Sequence, residues 1–112
     1  MPLVLAALTG AGSAVAQPSS TLEKAKSSGA ITVAYRESSI PFSYYDDKQQ
    51  PVGYAMDLCM RIVDAVKSEL KLPKLEVKYQ LVTSANRIPL MANGTIDLEC
   101  GSTTNNLARQ KQ

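Results

Sequence analysis

The chain has 112 residues, 45% hydrophobic and 20% charged, the composition of one small globular domain. Its formal charge is +2 with no long basic run, so nucleic acid is not an expected partner; Lys67, Lys71, Lys74 and Lys78 read as a solvated face near a helix end. It contains no histidine, which excludes Ser–His and Cys–His catalytic pairs, and no apolar run reaches the roughly 18 residues of a membrane span.

The first element is a targeting signal. "PLVLAALTGAGSAVAQ" has a short apolar core followed by small residues ending Ala14-Val15-Ala16, an A-x-A site of the secretory type. This predicts a signal peptide over 1–16, without the basic residues that usually precede the core, and an exported protein. A disordered Ala-rich tail is the alternative. Residues 17–20 form a polar linker. "TLEKAKSSG" reads as a helix capped by Ser20 or Thr21 and ended by Gly29. "ITVAYR" alternates Ile31, Val33 and Tyr35 against Thr32, Ala34 and Arg36, a strand over 31–36.

"FSYYDDKQQPVGY" predicts a hairpin turning at Asp46-Asp47-Lys48. Two adjacent carboxylates without further ligands are turn chemistry, and no metal is expected there. A helix over 55–70 follows, with Ala55, Leu58, Cys59, Ile62, Val63, Val66 and Leu70 at helical spacing and Pro73 beyond its end. "LEVKYQLV" alternates Leu75, Val77, Tyr79 and Leu81 as a second strand, 75–82. "SANRIPLMANG" reads as a short helix started by Ser84 or Asn86 and stopped near Gly94. "TIDLEC" is a third strand, 95–100, and "STTNN" leads into a final helix expected to be truncated.

Strands alternating with helices predict an α/β fold, a parallel sheet with helical crossovers. In such sheets ligands lie beyond the carboxyl ends of the strands. The first strand leads to Arg36, the second to Thr83, Ser84 and Arg87, and the third to Gly101, Ser102, Thr103, Thr104 and Arg109. Three arginines and several hydroxyls therefore collect at one edge, where bidentate guanidinium–carboxylate pairing would suit a small dicarboxylate such as an acidic amino acid. The alternative is three separate surface arginines paired to local acids such as Glu37.

"YRESSIPFSYYDDKQQPVGYAMDL", "NRIPLMANGTIDLECGSTTNN" and "ARQKQ" resemble the first lobe of the periplasmic glutamate/aspartate-binding proteins of ABC transporters, within the extracellular solute-binding family. The resemblance runs from about Ser20 to the last residue. It implies a periplasmic-binding-protein-like first lobe over 21–112, truncated before the second lobe, so that the chain is expected to be a fragment. It implies that Arg109, helped by Ser102 and Thr104, grips a ligand α-carboxylate, and that Arg36, Arg87 and Ser84 meet the side-chain carboxylate. It further implies a periplasmic location, an ABC permease as partner, a monomer, no cofactor and no catalysis. A dehydratase-like enzyme on the same fold, using Glu37 or Glu99, or a sensor domain of a membrane receptor are the alternatives.

Cys59 and Cys100 are the only cysteines, in a chain read as exported. Cys59 lies early in its helix on the apolar face; Cys100 ends the third strand, on the strand face expected to carry Ile96 and Leu98. Both approach the carboxyl edge, so a disulfide is expected, with two buried free thiols as the alternative.

Overall fold

The computed structural model describes residues 20–112. The predicted signal peptide, 1–16, and linker residues 17–19 lie outside the described residues. Helix α1 (Thr21–Ser28) begins where the Ser20 side chain accepts the Glu23 N–H at 3.2 Å. It ends at Gly29, whose positive φ of 71° lets its N–H turn back to the Ala25 carbonyl.

Strand β1 (Ala30–Tyr35) follows, then an antiparallel three-stranded ribbon of β2 (Ser38–Ser39), β3 (Ser43–Tyr45) and β4 (Pro51–Val52). The hairpin expected between 42 and 54 is thus β3–β4, with β2 added on its outer side. At its tip Asp46 accepts the N–H groups of Lys48 and Gln50 at 2.8 and 2.9 Å, a turn held by one carboxylate.

Helix α2 (Tyr54–Leu70) starts against this ribbon, with the N–H groups of Tyr54 and Ala55 donating to the carbonyls of Pro41 and Phe42, both at 2.9 Å. That approach leaves no room for a Cβ at Gly53, whose φ of 130° also favours glycine. The helix ends at Lys71 in a left-handed conformation, two residues before Pro73.

Strand β5 (Glu76–Leu81), helix α3 (Arg87–Ala92) and strand β6 (Leu98–Cys100) complete the main sheet, in the order β5-β1-β6. Both pairings are parallel, with Tyr35 level with Leu81 on one side and Cys100 on the other, so the three strands finish together at one edge. The parallel sheet with helical crossovers is the expected architecture.

The core lies on both faces of the central strand. On one, Ile31 and Val33 pack with Ala25 of α1, Met56, Cys59 and Val63 of α2, Leu75 and Cys100; on the other, Ala34 packs with Val82, Ile96 and Leu90 of α3. Full burial of such a side chain contributes about 1.5–3 kcal/mol, so β1 anchors the domain. Cys59 and Cys100 are bonded, with their Cα atoms 6.1 Å apart, pinning α2 to β6.

The structure corrects the third strand and refines three other elements. Ile96 does not share a face with Leu98 and Cys100, because β6 begins only at Leu98. Asp97 instead donates its N–H to the Thr32 carbonyl and accepts the Thr32 N–H on its carboxylate at 2.8 Å, and this turn sends Ile96 to the opposite core. Leu58 and Ile62 are exposed, since α2 buries the adjacent face carrying Met56, Cys59 and Val63; Tyr79 and Leu81 are exposed because β5 is an edge strand whose start alone is covered. The final helix is a 3-10 turn, Arg109–Lys111, preceded by a loop in which Asn106 accepts the Arg109 and Gln110 N–H groups.

Candidate functional site

All six residues expected to bind ligand follow the carboxyl ends of the strands. Two of the arginines share one cavity. Arg87 opens α3, and its direction is set by the loop before it, where Thr83 donates its N–H to Asn86 Oδ1 at 2.7 Å and Asn86 donates its N–H to Thr83 Oγ1 at 3.2 Å. The arginine is 8% exposed, yet its Nε and Nη1 have no hydrogen-bond partner. A buried guanidinium with free donors is costly, and it is the strongest sign of an anion site in the molecule.

Arg109 reaches the same cavity from the other side. Its backbone N–H is held by Asn106 Oδ1 at 2.9 Å, and its Nη1 donates to the Thr104 carbonyl at 2.9 Å. The cavity between these arginines measures about 210 Å³ and is also lined by Ile88, Met91, Glu99, Thr103 and Gln112. That is below the roughly 300–1,000 Å³ of drug-sized pockets and suits a small metabolite.

The other four expected residues follow the same strand ends but do not line this cavity. Arg36 is half-buried; its backbone is clamped by the fully buried Ser43, which accepts the Arg36 N–H at 2.9 Å and donates to its carbonyl at 3.3 Å. The Arg36 stem lies over Gly101, where an added Cβ would sit 3.1 Å from Cγ and would collide with Glu99 Oε1. Ser102 is exposed and shares a hydrogen bond with Ser39 at 2.9 Å, tying "RESS" to "GSTT". Thr104 and Ser84 are exposed.

Two cavity residues outside the expected ligand contacts carry buried, unpartnered oxygens. Thr103 is half-buried with its Oγ1 buried and unpartnered, between the exposed Ser102 and Thr104. Glu99 presents a buried, unpartnered Oε1. The alternation in β6 carries the signal for Glu99: Leu98 and Cys100 face α2, so the residue between them faces α3 and Arg87.

None of the three arginines is paired to a local acid. Among the described residues the single ion pair is Lys24–Asp97, at 2.9 Å, beside the opposite end of β1. No cluster of metal-binding side chains forms among the described residues. Beside the site, the Tyr35 and Tyr45 hydroxyls share a hydrogen bond at 3.1 Å, which, with burial and the nearby Tyr45 and Glu37 charges, raises the Tyr35 pKa above the usual phenol range.

Known proteins share both sequence and fold. The profile of the bacterial extracellular solute-binding proteins, family 3, matches residues 31–112. An L-glutamate/L-aspartate-binding protein of Pseudomonas aeruginosa is 53% identical over 110 residues, covering 97% of this chain and 36% of its own length. A glutamate/aspartate import solute-binding protein of Salmonella typhimurium is 60% identical over 93 residues, covering 83% of this chain and 31% of its own length. The chain therefore spans about a third of the length of the curated relatives it matches. Among solved structures, the cysteine-binding protein of Campylobacter jejuni superimposes with a TM-score of 0.68 at 29% identity, over 84% of this chain and 36% of that one.

Proposed function

This chain belongs to the bacterial extracellular solute-binding proteins, family 3, and from that premise we propose that it forms the first-lobe wall of a periplasmic site for glutamate or aspartate, supplying an ABC permease without catalysing a reaction. The observation that carries the reading is the pair Arg87 and Arg109 on one small cavity, with the Arg87 Nε and Nη1 buried and unused among the described residues. Arg109 meets the α-carboxylate, with Ser102 and Thr104 beside it. Arg87, with Arg36 and Ser84, meets the side-chain carboxylate. The names carried by the P. aeruginosa and S. typhimurium relatives support the same ligand class. Bidentate pairing gives both strength and orientation, because the flat guanidinium matches a carboxylate edge. The bound protein acts as a monomer that hands its ligand on unchanged.

The test is a hybrid in which this chain replaces the matching segment of the P. aeruginosa relative, titrated calorimetrically with glutamate, aspartate and glutamine. Arg109→Ala weakens all three ligands, since all present an α-carboxylate. Arg36→Ala or Arg87→Ala weakens glutamate and aspartate selectively. Breaking one partner of a desolvated charged pair costs about 2–5 kcal/mol, roughly 30-fold to several thousand-fold in affinity. A hybrid that binds glutamate no better than glutamine, or keeps its affinity through all three substitutions, overturns the reading.

A further inference from the structure

We propose that Ser43 and Ser39 of the β2–β3 ribbon are positioning residues of the binding site, Ser43 acting through Arg36 and Ser39 through Ser102; this rests on the function proposed above.

Arg36 lies one residue beyond β1, where the ladder of the main sheet no longer holds the chain. Ser43 takes over that task. Its side chain is fully buried, and its hydroxyl accepts the Arg36 N–H at 2.9 Å and donates to the Arg36 carbonyl at 3.3 Å. These two groups belong to the rigid peptide planes on either side of the Arg36 Cα. One serine therefore restrains both φ and ψ there, and with them the direction of the arginine stem. Ser39 stands directly opposite Ser43 in the antiparallel β2–β3 pair, which puts both side chains on one face of the ribbon. Its hydroxyl shares a hydrogen bond at 2.9 Å with Ser102, 63 residues away in sequence. One face of a small ribbon thus bonds to two site residues that follow different strands, β1 and β6.

The ribbon can hold them because it is itself anchored. The Tyr54 and Ala55 N–H groups of α2 donate to the Pro41 and Phe42 carbonyls between β2 and β3, and Cys59 of the same helix is bonded to Cys100, two residues before Ser102. The path from Arg36 through Ser43, α2 and Cys100 to Ser102 then closes through Ser39. A closed circuit of bonds holds Arg36 and Ser102 relative to each other before ligand arrives, which lowers the ordering cost of binding. The Ser39–Ser102 bond has a chemical effect as well. A serine hydroxyl has one proton to give. With Ser39 as donor, the Ser102 proton stays free for a ligand carboxylate and is polarised toward it.

The hybrid described above tests both residues, titrated with glutamate, aspartate and glutamine at a temperature where circular dichroism shows each variant folded. Ser43→Ala should weaken glutamate and aspartate by about 3- to 10-fold, the worth of one ordinary hydrogen bond, and leave glutamine within about twofold, since glutamine lacks the carboxylate assigned to Arg36. Ser39→Ala should weaken all three by a similar factor, because all carry the α-carboxylate assigned to Ser102. Ser39→Thr, which keeps the hydroxyl at a half-buried position, should restore them. The deciding readout is non-additivity. Ser43→Ala should cost nothing further in an Arg36→Ala background, and Ser39→Ala nothing further in a Ser102→Ala background. If the parent hybrid binds no acidic amino acid, the proposed function falls and this inference with it. If the parent binds glutamate and either alanine variant matches it with every ligand, that serine does not position the site and the function stands. Losses that persist undiminished in the Arg36→Ala and Ser102→Ala backgrounds mark merely structural serines and also overturn the proposal.

Discussion

Reducing the Cys59–Cys100 bond should remove a large share of this domain's stability, and its size follows from the chain. The cysteines are 41 residues apart in sequence. Closing a loop of that length lowers the entropy of the unfolded chain by about 13 cal/mol/K, or about 4 kcal/mol at 25 °C. At about 0.05–0.15 kcal/mol per residue, the 93 described residues (20–112) would have a total stability of about 5–14 kcal/mol. The bond is thus between about a third and most of what holds the fold. Reduction is the cleaner perturbation, because both sulfurs stay in the core as thiols, at 5% and 1% exposure, and packing changes little. Serine at these positions would add a buried hydroxyl without a partner and overstate the effect. Guanidinium chloride unfolding of oxidised and reduced protein, with thiol counts to verify each state, is the assay. With a slope of about 2–3 kcal/mol per molar, the midpoint should fall by about 1.3–2 M. Curves that coincide within about 0.3 M would refute the loop-closure argument, meaning that the unfolded chain already keeps α2 against β6.

Asp97→Ala should destabilise by about 1–3 kcal/mol, because it leaves the part-buried Thr32 N–H without its acceptor, whereas Lys24→Met should cost under about 1 kcal/mol since that side chain is 41% exposed and also bonds the Gly94 carbonyl; equal losses in thermal denaturation would contradict this division. Tyr35 titrates above the usual phenol range in the folded protein, so in the window between its unfolded and folded pKa the unfolded chain holds fewer protons, and stability should fall as pH rises there. Tyr45→Phe removes the largest cause, the shared hydroxyl bond, and should move the phenolate absorbance of Tyr35 to lower pH; an unchanged titration would show that the bond is not made in solution.

Much of this molecule is legible along the chain because the signals are local. A period of two fixes β1 and the start of β5, Ser20 and Gly29 bracket α1, and the helical spacing of Cys59, Val63 and Val66 places α2. Strand–helix alternation then orders the parallel sheet, which suffices to bring Arg36, Ser84, Arg87, Ser102, Thr104 and Arg109 to one edge and Cys59 beside Cys100. Which side of each element is covered was decided only in three dimensions. Ile96 changes face because Asp97 bonds to Thr32, a partner 65 residues away in sequence. Tyr79 and Leu81 stay exposed because β1, not β5, takes the centre of the sheet. Thr103 and Glu99 enter the cavity through the meeting of β6, α3 and the Arg109 loop. A residue's own pattern sets the direction of its side chain, but whether protein, ligand or water meets it there depends on elements that chain order alone does not place.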